Sequence, residues 1–96
     1  MDAPPILHVR ADHKGAFVME REGKRLAEMT YTVAGSRVII DHTDVDDALR
    51  GTGAGRKLVE AAVLWARAEN RKILPLCPFA KSVFDNTPAY ADVLAQ

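Results

Sequence analysis

The hydrophobic period of the chain changes from that of strands to that of a helix at the glycine-rich segment of residues 50–55. Before it, four segments alternate apolar and polar residues or are rich in β-branched residues, which predicts strands joined by tight turns. After it, Leu58, Ala62 and Trp65 recur at helical spacing and predict a helix over residues 54–69. Three glycines at this junction let the backbone turn sharply and leave its N–H groups uncovered by side chains. The sequence therefore predicts an antiparallel meander, a glycine loop and a helix, in that order.

The remaining elements complete the order ββββ-α-β-αα, which is typical of an α+β domain. The predicted strands cover residues 6–10, 16–21, 25–33, 37–45 and 72–77, and two short helices cover residues 79–86 and 88–94. Residues 12–15 are predicted as a turn in which Gly15 takes a positive φ. Thr87 is predicted to cap the last helix, with Pro88 at its first position.

Length and composition exclude several classes of protein. Ninety-six residues predict one domain, covering residues 1–96, with enough core to fold alone. Thirteen basic and thirteen acidic residues give a net charge of zero, which argues against a nucleic-acid partner. The single cysteine excludes an internal disulfide framework. No apolar run approaches the ~18 residues of a membrane span, and the first residues lack a secretory signal, which predicts a cytoplasmic protein.

The glycine loop has the features of a phosphate-binding site. A helix that opens directly after it adds unpaired N–H groups and the positive end of the helix dipole. Such a combination binds pyrophosphate, and Arg50, Arg56 and Lys57 add positive charge around it. The spacing fits neither a Walker A loop nor a Rossmann fingerprint. A purely structural glycine turn is the alternative interpretation.

Residues 45–55 resemble the acyl-coenzyme A signature of the GCN5-related N-acetyltransferases, the GNAT superfamily. The signature Arg/Gln-x-x-Gly-x-Gly/Ala is met by Arg50, Gly53 and Gly55, with Val45 five residues before the arginine. Together with this loop, residues 42–45 and 76–79 resemble the very short, cysteine-containing branch of that superfamily. The resemblance runs from about residue 6 to residue 94. It implies a GNAT-like fold with a mostly antiparallel, splayed sheet.

The same resemblance implies a cosubstrate, acetyl-coenzyme A (acetyl-CoA), and an amine acceptor. The backbone of residues 50–57 is expected to hold the pyrophosphate of coenzyme A (CoA), and Val45 to hydrogen-bond the pantetheine arm. The fourth and fifth strands are expected to splay so that pantetheine pairs with the open edge. The implied CoA-binding residues are Val45, Arg50, Gly51, Thr52, Gly53, Ala54, Gly55, Arg56, Lys57 and Asn86. The chain departs from larger members because it has no glutamate on the fourth strand, and it is too short for their N-terminal helices.

Three side chains are candidates for catalysis: His42, Cys77 and Tyr90. Histidine titrates near neutral pH, so His42 is a candidate base for the amine, with Asp41 and Asp44 as candidates to orient it. Cys77 precedes a predicted helix that would lower the pKa of its thiol. Tyr90 would protonate the leaving thiolate. The structural alternatives are a polar strand end for His42, an inert buried thiol for Cys77 and aromatic packing for Tyr90.

The remaining aromatic residues and histidines are assigned structural roles. Trp65 is predicted in the core, and His8 and His13 on the surface. No histidine has a metal-ligand partner at suitable spacing, so no metal site is predicted.

The predicted function is transfer of an acetyl group from acetyl-CoA to a primary amine. Direct attack by the amine is favoured, and transfer through Cys77 is the alternative. A second class of function stays open, in which the chain is a CoA-binding or protein-interaction module with little or no turnover. The sequence does not distinguish small amines, protein N-termini and lysine side chains as acceptors, and a monomer is compatible with it.

Overall fold

A computed structural model of the chain describes residues 4–95. Five strands form one sheet in sequence order: β1 (Ile6–Ala11), β2 (Lys14–Arg21), β3 (Lys24–Ala34), β4 (Arg37–Val45) and β5 (Lys72–Pro75). The first four strands are antiparallel, and β5 pairs with β4 in parallel. The predicted α+β fold with a mostly antiparallel sheet is confirmed.

Two α-helices follow the meander, α1 (Ala54–Ala68) and α2 (Pro78–Asp85). A short 3₁₀ helix, Asp47–Leu49, lies between β4 and the glycine loop and was not predicted. Within residues 4–95, no helix is long and apolar enough to cross a membrane.

The last predicted helix is a 3₁₀ helix, Pro88–Val93, rather than an α-helix. Thr87 precedes it, but its side chain makes no capping hydrogen bond, and within residues 4–95 its buried Oγ1 has no hydrogen-bond partner. The Tyr90 amide donates to the Thr87 carbonyl, which is the i→i+3 pattern of a tight helix. The predicted N-cap position of Thr87, with Pro88 directly after it, is therefore confirmed, although the helix is of the 3₁₀ type.

The core lies between one face of the sheet and the helices. The buried residues of α1 recur every three to four positions, as an amphipathic helix requires: Leu58, Val59, Ala62, Val63 and Ala66. They pack in one cluster with strand residues that include Phe17, Met29, Val38 and Ile40. This packing fixes α1 across the sheet, with its first turn at one end and Trp65 near the other.

The end of the sheet near Trp65 is closed by packed side chains, and His8 is one of them. The His8 ring stacks on Phe17 with 4.1 Å between centroids, and its Nε2 lies 2.6 Å from the Tyr31 hydroxyl oxygen. Burial and the positive charge of Arg10 lower the pKa of His8. The prediction of a surface position for His8 is therefore wrong, whereas His13 is exposed in a turn as expected.

Trp65 packs against the core without being fully buried. Its ring lies 5.1 Å from that of Tyr31, and the guanidinium groups of Arg10 and Arg71 lie 5.2 and 5.5 Å from its centroid. These cation–π contacts cover the outer side of the indole.

Gly15 is required at this end for a reason that the sequence did not indicate. The positive φ in the preceding turn belongs to Asp12, at 52°, and Gly15 lies inside β2. A Cβ at Gly15 would overlap the Tyr31 hydroxyl group. We call His8, Gly15, Phe17, Tyr31 and Trp65 the closed end.

Candidate functional site

At the other end of α1, strand β4 extends beyond its partner β5. The two strands pair from Arg37 opposite Lys72 to Ile40 opposite Pro75, and β4 then continues to Val45. Because proline has no N–H to continue the ladder, β5 ends two residues earlier than predicted. The amides of Leu76 and Cys77 both donate to the Ile40 carbonyl, at 3.1 and 3.2 Å. Beyond Ile40, β4 and the segment after β5 separate.

A β-bulge in β4 accompanies this separation. The β3–β4 register passes from Tyr31 opposite Ile40 to Thr30 opposite His42, so Asp41 is the extra residue. Residues 41–45 consequently have β3 on one side and an open edge on the other.

The amide of Val45 points to that open edge. Successive amides of a strand point to opposite sides, and the next amide, of Asp46, donates to the Leu26 carbonyl before β3 at 2.7 Å. Val45 is half-buried in a groove of about 290 Å³ that we call the apolar groove. Its lining includes Val45, Leu49, Ala54, Gly55 and Phe79, together with the glycine loop.

The glycine loop presents open backbone to the same groove. Gly51 and Gly53 have φ values of 80° and 77°, and a Cβ on either would meet nothing within 4 Å. Among the described residues, the amides at positions 53–56 have no backbone acceptor. The amides of Arg50, Thr52 and Lys57 donate to nearby carbonyls instead. These four amides at the positive end of α1 are available to an anion, and pyrophosphate binding by residues 50–57 stays a prediction.

Gly55 differs from the other loop glycines because it allows close packing. A Cβ at Gly55 would lie 2.6 Å from the Phe79 ring. Phe79, on the first turn of α2, is 40% exposed and forms a wall of the apolar groove. Sequence reasoning did not assign Phe79, and its only signal is its place directly after Cys77 and Pro78.

Cys77 lies between β5 and α2, beside the open edge. Its Sγ lies 3.4 Å from the Thr43 Oγ1, and the residue is 6% exposed. Burial alone would raise the pKa of this thiol, but hydrogen bonds to the Thr43 hydroxyl and to the amides of Ala80 and Phe79 outweigh it and lower the pKa. Thr43 was not predicted as a site residue, since only the fold brings it to the cysteine.

His42 is exposed and lies next to Thr43 in β4. Successive side chains of a strand point to opposite faces, so His42 projects away from the face that holds Thr43 and Cys77. Asp41 accepts a hydrogen bond from the Thr32 hydroxyl at 2.9 Å. Among residues 4–95, no side chain hydrogen-bonds to His42, so neither Asp41 nor Asp44 orients it in this state.

Asn86 lies at the opposite end of α2 from Cys77, and Tyr90 lies in the 3₁₀ helix that follows. Tyr90 lines a second groove, of about 360 Å³, with Gly53, Arg56, Lys57 and Glu60, which we call the polar groove. The Asn86 side chain donates to the Ser82 carbonyl at 2.9 Å and caps the end of α2. Within residues 4–95, no group of three or more His, Cys, Asp or Glu side chains could hold a metal ion.

Comparison with known proteins identifies related sequences and folds. The family model described as GCN5-related N-acetyl-transferase matches residues 16–93. The solution NMR structure of a GCN5-like protein from Staphylococcus aureus is 38% identical, covers 99% of this chain and 91% of its own, and gives a TM-score of 0.72. No curated protein matches the chain.

Two more distant structures share the fold. The ribosomal-protein-S18-alanine N-acetyltransferase from Escherichia coli is 16% identical, with 80% of this chain and 53% of that chain covered and a TM-score of 0.67. An aminoglycoside N-acetyltransferase solved in complex with CoA is 14% identical, with 79% and 67% covered and a TM-score of 0.58. The chain thus spans about half the length of the Escherichia coli enzyme.

Proposed function

The chain belongs to the GCN5-related N-acetyl-transferase family, and on this basis we propose that it transfers an acetyl group from acetyl-CoA to a primary amine. The proposal rests on the position of the free amides of the glycine loop beside the open edge of β4. Four amides at the start of α1, which have no backbone acceptor in the described part of the chain, share the apolar groove with the open edge of β4.

CoA would bind along this groove in a defined direction. Its pyrophosphate would accept hydrogen bonds from the amides of residues 53–56, and its pantetheine arm would pass Val45 and Phe79. Pantetheine would add to the edge of β4 as a short extra strand, and the Val45 amide is the available donor. The same donor could polarise the thioester carbonyl as negative charge develops on its oxygen.

In the favoured route, the acceptor amine attacks the thioester directly. The amine nitrogen bonds to the carbonyl carbon, the carbon–sulfur bond breaks, and CoA leaves as a thiolate that then takes up a proton. The attacking nitrogen loses a proton, for which His42 is the proposed base, directly or through a water. His42 is exposed on the segment of β4 that has the open edge, and its side chain lies on the opposite face from Thr43 and Cys77, which favours the route through a water.

Transfer through Cys77 is the alternative route. The Cys77 thiolate would attack the thioester carbonyl, CoA thiolate would leave, and the amine would then take the acetyl group from the cysteine. The hydrogen bonds that lower the pKa of Cys77 favour this route, and its burial opposes it. Direct attack needs only a positioned amine and a polarised carbonyl.

Intact mass spectrometry after exposure to acetyl-CoA without an acceptor distinguishes the two routes. The direct route predicts no acetyl adduct and predicts that Cys77→Ala keeps most of its activity. The covalent route predicts one acetyl group that is lost, together with turnover, in Cys77→Ala. Thr43→Val tests whether the Thr43 hydroxyl activates the thiol. It removes a hydrogen bond to the thiolate and should slow alkylation of Cys77.

A CoA-binding module with little or no turnover is the second candidate function. It is favoured by the lack of any side-chain partner that would orient His42 among the described residues. Binding of CoA with no transfer to any tested amine would support the module and contradict the enzyme. The acid role of Tyr90, CoA binding by Asn86, the single domain over residues 1–96 and the cytoplasmic location stay predictions.

A further inference from the structure

Strand β1 forms one edge of the sheet, and the proposed transfer reaction does not use it. Among residues 4–95, β2 is the only strand paired with β1. Three strand spacings, about 14 Å, separate β1 from β4. The other edge of the sheet is partly covered, because Leu94 forms a parallel bridge with Ile73 and the Ala95 amide donates to the Ile73 carbonyl at 2.8 Å.

The turn between β1 and β2 determines which backbone groups face the outer edge. In a hairpin with a two-residue turn, the residues that flank the turn exchange hydrogen bonds, and every second pair along the ladder does the same. Here the flanking pair is Ala11 and Lys14. The Val9 carbonyl oxygen faces β2 accordingly, since a Cβ on Gly15 would lie 2.7 Å from it. The residues whose N–H and C=O groups face the outer edge are therefore Ile6, His8 and Arg10.

This edge lacks the features that usually protect an edge strand from pairing, which are proline, a bulge or an exposed charge. Strand β1 contains no proline, and its register with β2 is unbroken. Its one charged side chain, Arg10, packs its guanidinium group over the Trp65 ring at 5.2 Å. On the sheet face away from the helices, Leu7 and Val9 are 48% and 44% exposed. Such an edge is suited to pairing with a further strand.

We infer that the further strand is β1 of a second copy of the chain, paired antiparallel about a two-fold axis at His8. In this register His8 lies opposite His8 of the other copy, and Ile6 lies opposite Arg10 on both sides of the axis. Each pair exchanges both of its N–H···O bonds, so every outward backbone group of the three residues is used. A shift by two residues in either direction would lose one of the three pairs. The self-pairing therefore has one preferred register.

The same register brings the exposed apolar side chains together. Leu7 of each copy lies opposite Val9 of the other, in the non-hydrogen-bonded pairs where cross-strand side chains are closest. Like charges do not meet, because the two Arg10 residues are four positions apart, about 14 Å. The chain also has no net charge that would oppose self-association. The His8 rings meet as neutral groups at pH 7, since burial and Arg10 lower the pKa of His8.

The length of the contact limits its strength. Pro4 and Pro5 precede β1 and the turn follows it, so the pairing is confined to the six residues of the strand. One short strand from each copy lies below the about 1,200–2,000 Å² of a stable interface, and we expect a dissociation constant of about 10–100 μM. Each copy uses its β1 edge once, so the assembly closes at two copies.

Sedimentation velocity of the ligand-free chain, from about 5 μM to about 1 mM, tests the dimer on both sides of the expected constant. Val9→Lys places a charge opposite Leu7 of the other copy at two symmetric contacts. It should weaken the dimer by about fivefold or more. Leu64→Lys is the matched control, because Leu64 lies on α1 and is 57% exposed. It should leave the dissociation constant unchanged.

Hydrogen exchange followed by NMR identifies the edge itself. The amides of His8 and Arg10 should exchange about fivefold or more slowly in concentrated than in dilute protein, because the dimer supplies their acceptors. The amides of Leu7 and Val9 are bonded to β2 in both states and should show no such dependence. Val9→Lys should remove the concentration dependence at His8 and Arg10.

A wild-type chain that stays monomeric at about 1 mM would overturn the inference. A dimer that Val9→Lys does not weaken, or that Leu64→Lys weakens equally, would also overturn it. If the melting temperature shows that Val9→Lys is unfolded, the exchange of the His8 and Arg10 amides in wild type decides. Every arm is measured without CoA, so the result is independent of the proposed function.

Discussion

At each end of α1, a glycine without a side chain allows an aromatic ring to pack closely, but the two rings differ in their exposure. At the closed end, Gly15 makes room for Tyr31, which is 2% exposed and hydrogen-bonded to His8. At the other end, which we call the open end, Gly55 makes room for Phe79, which is 40% exposed and lines the apolar groove. Residues 54 and 65 mark the two ends and are separated by about 16 Å along the helix axis.

The difference lies in what surrounds each glycine–aromatic pair. The closed end is surrounded by rings and guanidinium groups that pack against one another, although the buried Trp65 Nε1 has no hydrogen-bond partner among the described residues. Among residues 4–95, the open end has backbone amides without backbone acceptors and a strand edge without a neighbouring strand. The packing at the closed end stabilises the fold, whereas the packing at the open end lies next to backbone donors that still need a partner, such as water or a ligand.

The largest expected effect comes from a charge placed in the glycine loop. Gly53→Asp should abolish CoA binding, because a carboxylate would stand where the pyrophosphate is proposed to bind. Gly23→Asp, in the β2–β3 turn, is a matched control. Both glycines have open surroundings and similar φ values, 77° and 78°, so both variants carry the same backbone strain. Calorimetry on the two folded proteins measures the difference in CoA affinity. Equal affinity for CoA would show that the glycine loop does not bind it.

The next effect concerns His42, which belongs to the open end. His42→Ala should lower turnover by about 10²–10⁴-fold with little change in CoA affinity, as loss of a general base predicts. His13→Ala changes an exposed histidine in a remote turn and should leave the rate unchanged. Steady-state kinetics across pH is the measurement. An unchanged rate and pH profile in His42→Ala would give this residue a structural role.

Matched glycine-to-alanine substitutions compare the two ends directly. Gly15→Ala should lower the free energy of unfolding by about 1–3 kcal/mol and leave CoA affinity unchanged, since the new methyl group overlaps Tyr31 and the Val9 carbonyl. Gly55→Ala should weaken CoA binding with a smaller loss of stability, because the exposed Phe79 ring can move into the groove. Denaturant titration measures the stability of both variants, and calorimetry measures their affinity for CoA. A loss of CoA affinity in Gly15→Ala, or an unchanged CoA affinity in Gly55→Ala, would contradict the difference between the two ends.

The smallest effect is a pH dependence of stability at the closed end. Burial and Arg10 lower the pKa of His8 below the ordinary 6.5, so the folded state prefers the neutral ring. The unfolded state therefore binds the proton first, and stability should fall as pH drops below about 6.5. His8→Gln should show a shallower fall between pH 6.5 and 5 in thermal melts. If the melting temperature falls equally with pH in wild type and His8→Gln, His8 is not the cause of the pH dependence.

Much of the fold could be predicted because its signals are local. The bounds of β4 and the start of α1 follow from β-branched runs, helical spacing and the glycine junction, and the structure confirms them. The role of Gly15 and the position of His8 could not be predicted, because both depend on Tyr31 in another strand.

The site divides in the same way. The glycine loop and Val45 are continuous in sequence and were identified as candidates. Thr43 and Phe79 acquire their positions only when β5 ends at Pro75 and α2 folds back beside the loop. Tyr90 lines the polar groove beside Lys57, and its role toward the leaving thiolate of CoA stays a prediction.

The central claim, that CoA binds at the open end, is tested most directly by NMR titration of ¹⁵N-labelled protein with CoA. The account predicts saturable shifts of the backbone amides of residues 45 and 53–56, while the amide of Gly15 and the indole N–H of Trp65 stay in place. Absence of shifts at millimolar CoA, or shifts confined to the closed end, would contradict it.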